Sequence, residues 1–152
     1  MQLTQKETEL IKDLKGQEKL CIEKFTKYSS AAKDPQLKNL FTQLAQAEQQ
    51  HLNTVTEIEN GGTPQMGGGS GSQTQMSFTA AYGAGNDQNK QEDCYLCSDA
   101  LSTEKHVSSS YNISVFEFSD ENLRNALNHI QKEEQEHGKM IYDYMQANNM
   151  YS

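Results

Sequence analysis

The chain has 152 residues, a formal net charge of −8, a pI near 4.9 and a hydrophobic share of only 34%, with no Trp. That length gives one domain with a real core, and the acidic balance argues against nucleic acid and anionic membrane surfaces as partners. No apolar run approaches the roughly 20 residues of a membrane-spanning helix, and Met1 leads straight into polar Gln2, Thr4, Gln5 and Lys6, which does not read as a signal peptide.

Four helical segments follow one another as two hairpins. The first is expected from about Thr4 to Ser30, opened by the capping box Thr4-x-x-Glu7. The second starts at Asp34, an N-cap, with Pro35 at the first helical position, and closes on Asn60-Gly61-Gly62. Residues 61–88 then change character. They are rich in Gly, Ser, Gln and Asn, include Gly67-Gly68-Gly69-Ser70-Gly71-Ser72, and read as a flexible linker with Met66, Met76, Phe78 and Tyr82 only loosely ordered. The third helix is expected from near Asn89 to about Phe118, and the fourth from after Asp120 to about Asn149. The domain therefore divides into a first hairpin (3–60), a crossover (61–88) and a second hairpin (89–149). The expected fold is an all-α four-helix bundle of two antiparallel hairpins joined by a long Gly/Ser-rich crossover.

A repeat of 86 residues runs through both hairpins. The apolar stripe Leu37, Phe41, Leu44, Glu48, His51, Val55, Ile58 recurs as Leu123, Leu127, Ile130, Glu134, His137, Ile141, Tyr144. These steps of three and four mark the inward seam of a bundle. The first helix carries Leu14, Glu18, Cys21, Phe25 and Tyr28 on its seam, and the third carries Cys97, Glu104, Val107 and Tyr111.

Six polar residues thus fall on apolar seams: Glu18, Glu48 and His51, and their repeat mates Glu104, Glu134 and His137. In each copy a Glu precedes a Glu-x-x-His whose i, i+3 spacing puts both side chains on one helix face. Two helices giving one Glu each and two giving Glu-x-x-His form the ligand set of a di-metal carboxylate bundle. Burying a carboxylate without a partner costs several kcal/mol, and no Lys or Arg lies on the seams. Two divalent cations balance the four carboxylates and leave the imidazoles as neutral donors. Iron is the first candidate, manganese the second and zinc a weaker fit. The expected arrangement has Glu48 and Glu134 bridging, with Glu18 and His51 on one ion and Glu104 and His137 on the other. No catalytic residue is assignable from these positions.

The remaining chemistry-bearing residues read as structure. Cys94 and Cys97 form a lone CxxC, whereas a rubredoxin-type or structural zinc site needs two; a pair shared across a dimer is the alternative. Cys21 and Cys97 have Val107 and Ile11 as repeat mates and behave as small core hydrophobes. His106 and His129 have Leu20 and Gln43 as mates and stay outside the pattern. Tyr28 and Tyr111 fill core space and bond through their hydroxyls, with electron supply to a metal centre as the alternative.

The doubled Glu and Glu-x-x-His pattern resembles the ferritin-like superfamily. Within residues 93–151, Ser102-Thr103-Glu104-Lys105, Ser110-Tyr111-Asn112, Asn122-Leu123-Arg124 and Tyr142-Asp143-Tyr144-Met145 resemble the spore coat protein F family, although Asn149-Met150-Tyr151 stands where that family usually closes on Gly-Trp-Tyr. The resemblance implies a place in the spore coat, other coat proteins as partners and a homodimer by analogy. Two functions compete. One is a redox-active di-metal protein, an oxidoreductase reacting with O2 or peroxide. The other is a structural coat component or assembly module without catalysis.

Overall fold

The computed structural model describes residues 2–66, 76–83 and 87–151. Four helices account for the regular structure of these residues: α1 (Gln5–Ala31), α2 (Pro35–Glu59), α3 (Asp87–Val115) and α4 (Glu121–Ala147). The all-α bundle expected from the sequence is present.

Local chemistry fixes the helix ends. Thr4 closes a reciprocal capping box with Glu7. Asp34 caps α2 through the amide of Gln36 with Pro35 behind it, and Asp120 caps α4 through the amide of Leu123. Both C-termini close on a left-handed residue, Gly61 (φ 86°) and Asn149 (φ 54°). In each the next amide reaches back five residues, Gly62 to the Glu57 carbonyl and Met150 to that of Met145. This double closure stops α2 and α4 where their apolar stripes end.

α1 packs along α2 and α3 along α4, and the hairpins meet through α1–α3 and α2–α4. Cross-hairpin contacts give the relative directions. The late α1 residues Lys24 and Tyr28 meet Asp99 near the middle of α3, whereas Lys6 near the start of α1 meets Glu117 just past the end of α3. α1 and α3 are therefore antiparallel, and the seams of all four helices face a common axis. Ile11, Phe25, Leu44, Ile58, Ile130 and Ile141 are fully buried along it.

The expectation of loose order after α2 is only partly met. The run Gly67–Ser72 lies outside the described residues. Phe78, however, packs edge-to-face on Tyr144 at 5.4 Å, and the Thr79 amide donates to Gln36. The Ala81 amide donates to Asn148, and the Tyr82 hydroxyl to buried Asp93. Met66 and Met76 also pack against the core. Residues 76–83 are thus docked where α2 and α3 begin and α4 ends. The compositional argument failed here because one aromatic and a few specific hydrogen bonds outweigh the local bias toward disorder.

Candidate metal centre

All six seam residues singled out from the repeat converge at mid-bundle. None of Glu18, Glu48, His51, Glu104, Glu134 and His137 is more than 2% exposed. α1 and α3 each present a Glu, while α2 and α4 each present a Glu and a His one turn apart. The two imidazoles stack at 5.7 Å with an interplanar angle of 20°. Both aim Nδ1 at the carboxylates: His51 Nδ1 lies 3.0 Å from Glu134 and 3.2 Å from Glu48, and His137 Nδ1 lies 3.1 Å from Glu48.

These donors form two overlapping groups able to hold a cation. Glu18, Glu48, His51 and Glu134 make one; Glu48, Glu104, Glu134 and His137 make the other; in each the ligand atoms lie within 4.8 Å of one another. Glu48 and Glu134 belong to both. The donors fit divalent ions on a feature of the protein itself. Glu18 Oε2, Glu134 Oε2 and both oxygens of Glu104 are buried and accept no hydrogen bond. A buried carboxylate oxygen without a donor costs on the order of 1–3 kcal/mol or more, so the protein alone leaves this cluster incomplete.

The electrostatics agree. Burial, reinforced by Glu48, pushes the Glu18 carboxyl up to about 9. Burial and the neighbouring carboxylates of Glu134 and Glu48 raise Glu104 well above the ordinary range. Burial opposes ionisation of Glu48 too, but contacts with Glu18, His137 and His51 outweigh it and hold it ionised. Both imidazoles are desolvated, yet their carboxylate neighbours keep them protonated far above the usual histidine range. Without cations, the cluster neutralises itself by retaining protons.

Three neighbours complete the surroundings of the cluster: Tyr111, expected on the α3 seam with a bonding hydroxyl, and Glu133 and Gly138, which the repeat did not single out. Tyr111 donates to Glu18 Oε1 at 2.7 Å. Glu133 lies 2.9 Å from His51 Nε2, the nitrogen facing away from the cluster, and 3.4 Å from His129 Nε2. This is the carboxylate–imidazole pairing that orients a ligating histidine. Gly138 follows His137 and stands beside a cavity reaching Glu104 and Glu134. Neither Glu133 nor Gly138 stands out from the sequence by residue type alone. The signal was the broken repeat, since their mates are Ala47 and Leu52.

The other residues behave as core or surface. Cys21 and Cys97 are buried free thiols, and burial raises both, the four cluster carboxylates adding to the effect at Cys21. Cys94 Sγ points at the Met150 carbonyl. Tyr28 packs edge-on against buried Phe41 at 5.5 Å, and its hydroxyl donates to Asp99 on α3, as expected of it.

Residues 92–152, which cover nearly all of α3 together with α4, match the family model of the Coat F domain. The match points to a spore coat protein. It spans under half of the chain, and α1 and α2 lie outside it. No curated protein and no solved structure matches the chain. No helix among the described residues is long and apolar enough to cross a membrane.

Proposed function

We propose that this chain is a di-metal carboxylate protein of the spore coat that reacts with O2 or hydrogen peroxide. Glu18, Glu48, His51, Glu104, Glu134 and His137 would hold two ions, iron first and manganese second. The observation that carries this reading is the set of buried carboxylate oxygens that no protein donor satisfies, arranged in two groups sharing Glu48 and Glu134. Iron or manganese supplies reversible electron transfer at such a site when bound.

The chain's own residues perform the remaining tasks. Apolar neighbours on every seam, among them Leu44, Val55, Ile130 and Ile141, exclude bulk water from the cluster. Tyr111 fixes one oxygen of Glu18 and holds a proton at its hydroxyl beside the site. Glu133 holds His51 with Nδ1 facing inward. Glu48 and Glu134, common to both groups, would serve both ions, and Glu18 and Glu104 would each serve one. Other coat proteins are the expected partners of the outer faces, in keeping with the Coat F match.

The test is turnover by protein loaded with ferrous iron or manganese, compared with the isosteric Glu48→Gln/Glu134→Gln variant. Ferrous oxidation and peroxide consumption at least tenfold above free ion, lost in the variant, are the expected result. Metal-loaded protein no faster than free ion would instead leave a structural coat component whose ions only hold the bundle together.

A further inference from the structure

The two halves of the cluster are related by the 86-residue repeat, but two departures from it make them unequal, both in the same sense. On the Glu18 side, Tyr111 donates to Glu18. Its repeat mate is Phe25, which has no hydroxyl to offer Glu104. The second departure is steric. Gly138 and Ser108 flank the Glu104 side, where the mates on the other side are Leu52 and Ile22.

The space released by these small residues is a cavity of about 370 Å³ between α3 and α4, lined by Leu101, Glu104, Lys105, Ser108, Glu134 and Gly138 among others. Glu104 is 2% exposed, lines this cavity, and carries two oxygens that accept no hydrogen bond. A buried acceptor without a hydrogen bond, lining a cavity, is where an incoming ligand gains most. A helical Gly also forgoes about 1 kcal/mol relative to Ala. Nothing local requires that loss at Gly138: its φ is not positive, and an added Cβ would meet Leu101 Cδ1 at an ordinary 3.5 Å.

We infer that the α3–α4 cavity at Gly138 is the entry and binding pocket for a small exogenous ligand of the peroxide class, and that it serves the Glu104/His137 half of the centre while the Glu18/His51 half is closed. The inference rests on the di-metal reading and adds a direction to it. The pocket is at the small end of ligand cavities, and two divalent ions would make the six-residue cluster neutral. A neutral diatomic or peroxide then enters without charge penalty. Lys105 at the rim is exposed and places a cation there for an anionic analogue.

Azide is the probe, added to protein loaded with two ferric ions and followed by the azide-to-iron absorption band. The expected result is saturable binding in the wild-type protein, slowed at least tenfold in Gly138→Leu, with iron content unchanged. Ser108→Ile, at the cavity wall, should give the same direction, and Gly138→Ala, which fits without displacement, a smaller slowing in a more stable helix. Two irons bound with equal azide kinetics in wild type and all three variants would overturn the pocket and leave the metal site standing. So would two irons with no azide band in the wild-type protein. Failure of the wild-type protein to hold iron would overturn the di-metal reading itself, and this inference with it.

Discussion

Among the described residues, buried carboxylates gather in two clusters, apart from the capping-box Glu7, and the two are treated in opposite ways. At the end where residues 76–83 dock, Asp93 is fully buried and receives the amides of Lys33 and Asp34 at 2.8 and 3.0 Å as well as the Tyr82 hydroxyl. Its neighbour Asp34 receives the Tyr144 hydroxyl at 2.7 Å and the Gln36 amide. At mid-bundle, four oxygens of Glu18, Glu104 and Glu134 accept no hydrogen bond, and the imidazole nitrogens reach them no closer than 3.6 Å. The same chemical group is a finished piece of structure at one level and an unfinished one at the other. Desolvation penalises both; the end cluster is repaid by protein donors, whereas the mid-bundle cluster is repaid only in part. The mid-bundle cluster is completed by cations or by protons.

The comparison breaks most sharply through opposite mutational signatures. Asp93→Ala strands two backbone amides of the α1–α2 turn, so unfolding should become easier by about 2–4 kcal/mol while metal content stays unchanged. Glu104→Gln should do the reverse. It puts a neutral isostere where the metal-free protein already holds the carboxyl protonated, so metal-free stability holds, while metal content falls for want of a carboxylate ligand. Denaturant melts of both variants, with and without chelator, read the two effects. A Glu104→Gln variant as unstable as Asp93→Ala would make the two clusters alike and remove the distinction.

Proton balance sharpens the same contrast. In the metal-free protein Glu18 and Glu104 hold protons through neutral pH, and both imidazoles are charged. These pKa values lie above their ordinary ones, so lower pH favours the protonated cluster and competes with cations. Metal binding should therefore release protons and tighten as pH rises through neutral, checked by titrating manganese in weakly buffered solution. Uptake without proton release would contradict the assigned charge states.

A smaller effect belongs to the docked segment. Phe78→Ala should lower stability by about 1–2 kcal/mol through loss of its contact with Tyr144. Hydrogen exchange should rise at the amides of Thr79 and Ala81 with no change at mid-bundle. Unaltered exchange there would mean that the hydrogen bonds to Gln36 and Asn148 hold the segment without the ring.

The sequence made legible whatever is local or periodic. Caps at Thr4, Asp34 and Asp120, the stop at Gly61, and the seams came from spacing and residue type, and so did the convergence of six polar residues. What depended on long-range partners was not legible. Asp93 is the repeat mate of Glu7, yet Glu7 closes a capping box within its own helix while Asp93 receives amides from another hairpin. Tyr82 and Phe78 sit in a composition typical of linkers, and only their tertiary contacts make them structural. Glu133 and Gly138 gain meaning only from what their repeat mates are not.

The most direct test of the central claim is elemental analysis of the protein purified from cells grown with iron and manganese. The account predicts about two ions per chain, one for each of the two ligand groups, lost on Glu48→Gln/Glu134→Gln substitution in a protein that remains helical. Folded wild-type protein that carries no metal, and takes up none when iron or manganese is supplied at neutral pH, would contradict it.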